Sequence, residues 1–166
     1  MFPVARRANQ GCDLVLISAG GADDKQSSTG LARRLEDGVE ALEVTLPAIP
    51  ASIGHLRSYA REFAAGAGAT DEAVTDIALA ISEAATNAVI HAYPDSKATN
   101  GTASLRGNVA GDWLELAIAD RGAGFRPGPS GGLGFGLTVM AEVSDSMTVE
   151  QRDEGTTVVL RFALAR

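Results

Sequence analysis

Apolar and polar positions alternate along this chain with two different periods, and these periods predict strands and helices. Leu42, Val44 and Leu46 alternate with polar or small neighbours, which predicts a half-buried strand that ends at Pro47. The same period-two pattern predicts four further strands, at 102–109, 113–119, 147–152 and 156–164. The turns Ala110-Gly111-Asp112 and Asp153-Glu154-Gly155 separate the members of each pair.

Apolar residues recur every three or four positions between the first and second predicted strands, which is typical of amphipathic helices. Ser52 is a suitable cap for the first helix, and Gly66 follows its last apolar position. Thr70 opens the second helix, which runs to about Ala92. A third helix is predicted over about 135–143. The order β-α-α-β-β-loop-α-β-β indicates an α+β fold, with helices against a mixed or antiparallel sheet.

Residues 1–39 have a different pattern from the rest of the chain. The stretch 20–30 is small, polar and without period, which is typical of a linker, and 14–17 is the one candidate strand nearby. We therefore expect a poorly ordered leader over residues 1–39. The single folded domain is expected over residues 40–166.

Charge and cysteine content narrow the function classes. The 166 residues include 14 basic and 21 acidic side chains, a net charge of −7 with no basic cluster, which argues against direct nucleic-acid binding. Cys12 is the only cysteine, so no internal disulfide is expected. The aliphatic run Leu14–Ile17 is far shorter than the roughly 18 residues that a membrane-spanning helix needs. These features predict a cytoplasmic protein without membrane contact.

The second helix carries a polar stripe beside its apolar face. Glu83, Asn87 and His91 are spaced i, i+4 and i+8, so a regular helix aligns them. A carboxylate, an amide and an imidazole at the edge of a core could hold a divalent ion and orient an attacking group. For His91 itself, a packing or supporting role is expected rather than a ligand role. A solvated helix face is the alternative interpretation.

Two polar residues stand at the ends of apolar strand rows. Asp120 continues the row of Leu114, Leu116 and Ile118, and Thr156 begins the row of the last strand. A carboxylate in that position is costly to bury unless hydrogen-bond donors, such as a ligand amino group, reach it. The alternatives are an acid that caps a turn and a threonine favoured by β propensity.

A glycine-dense segment follows Asp120. It contains a D-x-G-x-G element at 120–124, and seven of the 19 glycines fall within 122–136. Glycines that lead into a helix allow backbone N–H groups to approach an anion closely. Neither the P-loop nor the dinucleotide fingerprint fits this segment. A flexible surface loop is the alternative.

Together these elements resemble the boxes of the GHKL (Bergerat-fold, HATPase) ATPases. Ser82–Tyr93 resembles the N-box, Asp120–Phe125 the G1 box, Gly132–Leu137 the G2 box and Gly155–Val158 the G-T-x motif, in the family's order. The resemblance covers about 40–164 and implies a two-layer sandwich, with helices packed on one face of a mixed, mostly antiparallel sheet. The N-box sequence is most similar to that of the RsbW-type anti-sigma-factor serine kinases.

This resemblance implies a role for each polar side chain. Glu83 corresponds to the general base that acts on a serine hydroxyl or water. Asn87 corresponds to the Mg²⁺ ligand. Asp120 corresponds to the acceptor for the adenine amino group of ATP, with Thr156 assisting through the same water-linked network.

The glycines acquire implied roles as well. Gly122 and Gly124 would pass close to the base, and Gly132, Gly134 and Gly136 would cradle the phosphates. In this chain only the segment from Arg126 to Gly131 separates the G1 and G2 boxes, whereas the ATP lid of the serine kinases is usually longer.

The resemblance implies an ATP- and Mg²⁺-dependent serine/threonine kinase. It would phosphorylate a STAS-domain anti-anti-sigma protein, sequester a sigma factor and form a homodimer. The short lid leaves an alternative open, namely a regulatory interaction module, ATP-binding or nucleotide-independent, without kinase activity. A sensor-histidine-kinase domain ranks last, because residues 1–39 are too short and polar for a dimerisation helix pair.

Overall fold

Every strand that is described belongs to one antiparallel sheet in the computed structural model, which describes residues 14–16, 29–35, 38–93, 101–122, 132–151 and 155–164. The strands are β1 (Leu14–Leu16), β2 (Thr29–Leu35), β3 (Gly38–Pro47), β4 (Thr102–Ala110), β5 (Trp113–Asp120), β6 (Ser146–Gln151) and β7 (Thr156–Ala163). Their order across the sheet is β1-β2-β3-β4-β5-β7-β6. The α+β prediction is confirmed. The described strand pairs are antiparallel throughout rather than mixed.

The sheet begins earlier than the hydrophobic pattern predicted. β1 and β2 both lie before residue 40, where the sequence predicted at most one strand, and β2 pairs with β3 from Thr29↔Thr45 to Leu35↔Gly38. Backbone hydrogen bonds between antiparallel strands require no apolar period, so composition alone did not reveal β2. The division into a 1–39 leader and a 40–166 domain stays a prediction.

Three helices cover one face of the sheet: α1 (Pro50–Gly66), α2 (Asp71–Thr86) and α3 (Gly132–Val143). α1 begins before the predicted cap, because Ile49 is the N-cap and Pro50, with its fixed φ, occupies the first turn. Ser52 is instead buried inside that turn. In α2 the predicted cap is confirmed, since the Thr70 hydroxyl accepts a hydrogen bond from the Ala73 N–H at 3.2 Å.

A π-helical turn, Asn87–His91, continues α2. Its defining hydrogen bond runs from the Ala92 N–H to the Asn87 carbonyl, five residues back, at 3.1 Å. Short π turns of this kind are frequent at functional sites. This turn interrupts the regular period between Asn87 and His91.

The hydrophobic core lies between the helices and the inner face of the sheet. Buried strand rows supply one side of it: Leu42, Val44, Leu46, Leu105, Leu114, Leu116, Ile118, Val158, Leu160 and Phe162. The outer face of the sheet carries cross-strand ion pairs instead, Arg106–Glu43 at 3.0 Å and Arg161–Glu115 at 2.8 Å. The predicted alternation of strand residues is confirmed.

Among the described residues, α2 and its π turn together form the one helix that is both long and apolar enough to cross a membrane. The stretch Asp71–His91 reaches a mean hydropathy of 1.3, so by length and composition alone it resembles a membrane-crossing helix. However, half of that stretch is buried inside the protein. Ile77, Ile81 and Ala84 are part of the core. Packing against the sheet and the other helices accounts for this apolar character.

Candidate functional site

Asp120 ends β5 at one edge of the core and is only 9% exposed. The Gly122 N–H donates to Asp120 Oδ1 at 2.8 Å, and the Thr156 backbone supplies another hydrogen bond. Burial raises the pKa of the Asp120 carboxyl above its usual value, and these backbone donors oppose the rise. The carboxylate is therefore held in one orientation, with part of its acceptor capacity free.

Thr156 begins β7 beside Asp120 and is also 9% exposed. The sheet register pairs Ile118 with Val158, so the apolar rows that end at Asp120 and start at Thr156 lie next to each other. Gly155 makes this approach possible, because it has φ +96° and an added Cβ would collide with the Asp120 carbonyl oxygen. The structure thus brings together the two polar residues that the strand period singled out.

Glu83 lies on α2 and Asn87 begins the π turn that continues it, and both residues are half-buried. α3 packs against α2 here, and its Gly136 faces the carboxylate. A Cβ on Gly136 would lie 2.8 Å from Glu83 Oε2, closer than real Cβ contacts occur. Asn87 caps α2 and begins the π turn, with its N–H directed at the Glu83 and Ala84 carbonyls. Because Gly136 has no side chain, it leaves room for the side chain of Glu83.

α3 begins at Gly132, three residues before the predicted start at Phe135. Gly132 and Gly134 lie in its first turn, where backbone N–H groups have no partner within the helix. Gly136 lies beyond that turn and contributes the space over Glu83 instead. Gly124 and the short lid at 126–131 fall outside the described residues.

His91 departs from the predicted stripe. Its side chain is exposed, and the π turn has broken the regular spacing that would align it with Glu83 and Asn87. The expectation that His91 is a packing residue is therefore wrong, whereas a supporting role for it stays a prediction.

Tyr93, which sequence reasoning did not single out, joins three elements beside Asp120. Its hydroxyl donates to the Thr102 carbonyl at 2.9 Å and accepts from the N–H groups of Thr102 and Arg121 at 3.2 and 3.1 Å. In the sequence, a tyrosine between the end of a helix and Pro94 is only a weak indication of a functional position. A half-buried phenol does need partners, and that requirement could have drawn attention to it.

No cluster of three histidine, cysteine, aspartate or glutamate side chains occurs within the described ranges. The oxygen atoms that could coordinate a metal ion here belong to the Glu83 carboxylate on α2 and to the Asn87 amide at the start of the π turn. Mg²⁺ commonly takes one or two protein oxygens and completes its shell with phosphates and water. The donor set is therefore compatible with Mg²⁺ delivered with a nucleotide, and it does not form an all-protein cage.

The chain is similar to known proteins over most of its described length. The family model of the histidine kinase-like ATPase domain matches residues 46–162. The serine-protein kinase RsbW of Bacillus pumilus is 32% identical over 150 residues, which cover 80% of this chain and 91% of that protein. The Bacillus subtilis serine-protein kinase RsbW is 37% identical over 91 residues, 55% of this chain and about half (56%) of that protein.

An anti-sigma F factor of Clostridium perfringens is 29% identical over 122 residues, 65% of this chain and 85% of that protein. Among solved structures, the RsbU and RsbW domains of a Mycobacterium tuberculosis protein superpose with a TM-score of 0.62 at 28% identity. That match covers 76% of this chain and 33% of the other. The fold and the four boxes thus define a GHKL-type ATPase domain. The chain belongs to the histidine kinase-like ATPase family and, within it, to the RsbW-type serine-protein kinases.

Proposed function

We propose that this protein is an ATP-binding anti-sigma-factor serine kinase. The observation that carries the proposal is Asp120, a buried carboxylate held by backbone N–H donors at the open end of the core. A buried acid with a raised pKa and spare acceptor capacity is a candidate ligand site. In this family the corresponding residue accepts from the adenine amino group.

The adenine end of the site is built on strand ends. A carboxylate has about four lone-pair sites, and the backbone bonds from Gly122, Thr156 and Asp120 itself use at most three of them, so acceptor capacity remains for an amino group. The buried Thr156 hydroxyl stands beside it and assists through the same network. Gly122, and Gly124 beyond the described part, would lie close to the base.

The transfer end is built on helices. Gly132 and Gly134 would present unpaired N–H groups of the α3 first turn to the phosphates, where the helix dipole favours negative charge. Gly136 would support this end by making room for Glu83 rather than through its own N–H. Asn87 would hold Mg²⁺, which when bound neutralises charge that develops on the phosphates. Glu83 would accept the proton of the attacking serine hydroxyl.

Partners follow from the relatives rather than from this chain's geometry. Relatives named as serine-protein kinases and as an anti-sigma factor support a role in sigma-factor control. We therefore infer a cytoplasmic protein that phosphorylates a serine on a STAS-domain anti-anti-sigma protein. It would otherwise sequester a sigma factor, and it would act as a homodimer with residues 40–166 as its catalytic unit.

The experiment is a phosphoryl-transfer assay with Mg-ATP and STAS-domain proteins from the same genome. Wild type should phosphorylate one of them, and Glu83→Gln should lower the rate by roughly 10²- to 10⁴-fold while ATP binding persists, because only the proton acceptor is lost. Glu62→Gln, an exposed glutamate on α1, is the matched control and should be unchanged.

Absence of transfer by wild type, with ATP still bound, would contradict the kinase proposal. That result would favour the alternative, a regulatory module without kinase activity. A transfer rate that survives Glu83→Gln would instead show that Glu83 is not the base.

A further inference from the structure

Tyr93 occupies a junction that the proposed chemistry does not use. The residue follows the π turn, and its hydroxyl reaches the first residue of β4 and the first residue after β5. Three segments that are distant in sequence are therefore tied at one oxygen atom. One of them, Asp120–Gly122, carries the candidate adenine acceptor.

The hydrogen-bonding capacity of this hydroxyl is fully used. A phenol has one O–H donor and two acceptor lone pairs. The donor is directed at the Thr102 carbonyl, and the lone pairs receive the N–H groups of Thr102 and Arg121. The Arg121 N–H belongs to the peptide that directly follows Asp120. Its orientation therefore also fixes the start of the turn in which Gly122 donates to Asp120.

Two close approaches seat this junction. A Cβ on Gly101 would lie 3.0 Å from the Tyr93 ring, so the ring rests directly on that glycine. A Cβ on Gly122 would collide with the Ala92 carbonyl oxygen, so the turn after β5 lies directly against the end of the π turn. The turn is thus held against the N-box end at two adjacent points, Ala92 to Gly122 and Tyr93 to Arg121.

We propose that Tyr93 is a positioning residue that fixes the Asp120–Gly122 turn and thereby sets the affinity for the adenine nucleotide. The proposal rests on the proposed ATP site. Tyr93 contacts neither base nor phosphate in this account and acts through the backbone that orients Asp120. Its removal should therefore weaken nucleotide binding and leave transfer at saturating ATP unchanged.

The test compares Tyr93→Phe with wild type in two measurements. Amide hydrogen exchange should become about 3- to 10-fold faster at Arg121 in the absence of nucleotide, since a typical hydrogen bond has been lost. Calorimetry should show the Kd for Mg-ATP about 3- to 10-fold higher, with kcat unchanged. Gly101→Ala, which displaces the Tyr93 ring but keeps its hydroxyl, should also speed exchange at Arg121 and raise the Kd for Mg-ATP.

Tyr59→Phe is the matched control, because it removes the only other phenol, a buried one on α1. It should leave exchange at Arg121 and the Kd unchanged. Wild type that binds ATP, with Kd or Arg121 exchange unaltered in Tyr93→Phe, would overturn the role of Tyr93 alone. Wild type that binds no ATP would overturn the proposed function and, with it, this affinity role.

Discussion

The two ends of the candidate site are built in different ways. At the proposed adenine end, Asp120 and Thr156 are fixed by the sheet, by backbone hydrogen bonds and by the Tyr93 junction. At the proposed transfer end, Glu83 and Asn87 are placed by a helix that changes to a π turn. Glu83 is accommodated there by the absence of a side chain on Gly136. Backbone hydrogen bonds orient the Asp120 carboxylate, whereas space beside Gly136 accommodates the Glu83 carboxylate.

This difference separates binding from chemistry. Perturbation of the adenine end should change nucleotide affinity and local stability together, because the same backbone bonds serve both. Perturbation of Glu83 at the transfer end should change the rate of phosphoryl transfer while affinity persists, because it moves one side chain without disturbing the sheet.

Gly155→Ala should give the largest effect and should damage the adenine end. It combines a positive φ of +96° with a collision between the new methyl group and the Asp120 backbone. We expect a loss of about 2–4 kcal/mol in the free energy of unfolding, together with loss of ATP binding. Denaturant unfolding and calorimetry measure the two quantities.

Gly111→Ala is the control, since Gly111 also has a positive φ, +62°, in a hairpin turn but has open space around it. That substitution should cost only about 1 kcal/mol and leave ATP binding intact. Equal effects of the two substitutions would show that the contact with Asp120 has no energetic importance.

Gly136→Ala should affect the transfer end alone. The methyl group would force the Glu83 carboxylate away from its position, since the Cβ would lie 2.8 Å from Oε2. A small misplacement of a reacting group lowers kcat by roughly 10- to 100-fold. The Kd for ATP should stay within about twofold of wild type.

Gly54→Ala provides the comparison for that variant, because it places a methyl group inside α1 with Arg57 Nη2 4.0 Å away and nothing nearer. Its kcat should equal that of wild type. If Gly136→Ala raises the Kd for ATP by as large a factor as it lowers kcat, the proposed separation of the two ends is wrong.

Asp120→Asn should change stability in a pH-dependent manner. Because burial raises the pKa of Asp120 above 3.8, the ionised form destabilises the fold at neutral pH. The asparagine variant should therefore be more stable at pH 7, by about 1 kcal/mol. As pH falls through the raised pKa, wild type becomes protonated at Asp120 and the advantage of the variant should disappear. Urea unfolding at several pH values tests this, and a difference that is constant with pH would refute it.

The position of Asp120 beside Thr156 was largely predictable from sequence, because alternate residues of a strand lie on the same face of the sheet. Asp120 and Thr156 each extend an apolar row, and adjacent antiparallel strands bring such rows together. Their mutual position therefore followed from local pattern and a single pairing. The α+β fold followed from the order of the predicted elements, whereas the placement of the helices on one face was implied by the resemblance to the GHKL ATPases.

The remaining features depend on contacts that local pattern does not encode. Gly136 meets Glu83 only because α3 packs on α2, and the Tyr93 hydroxyl joins segments that are far apart in sequence. The π turn that begins at Asn87 interrupts the regular helical period that the sequence pattern predicts. β2 has no apolar alternation and depends on backbone pairing with β3. Tertiary packing determined each of these features.

The most direct test of this account is a calorimetric titration of Mg-ATP into wild type and into Asp120→Asn. The account predicts saturable binding of Mg-ATP to wild type. For the variant it predicts a Kd about 10- to 100-fold higher, since a hydrogen bond to a charged group is lost. Absence of binding to wild type at millimolar ATP, or equal affinity of the two proteins, would contradict the assignment of Asp120 as the adenine acceptor.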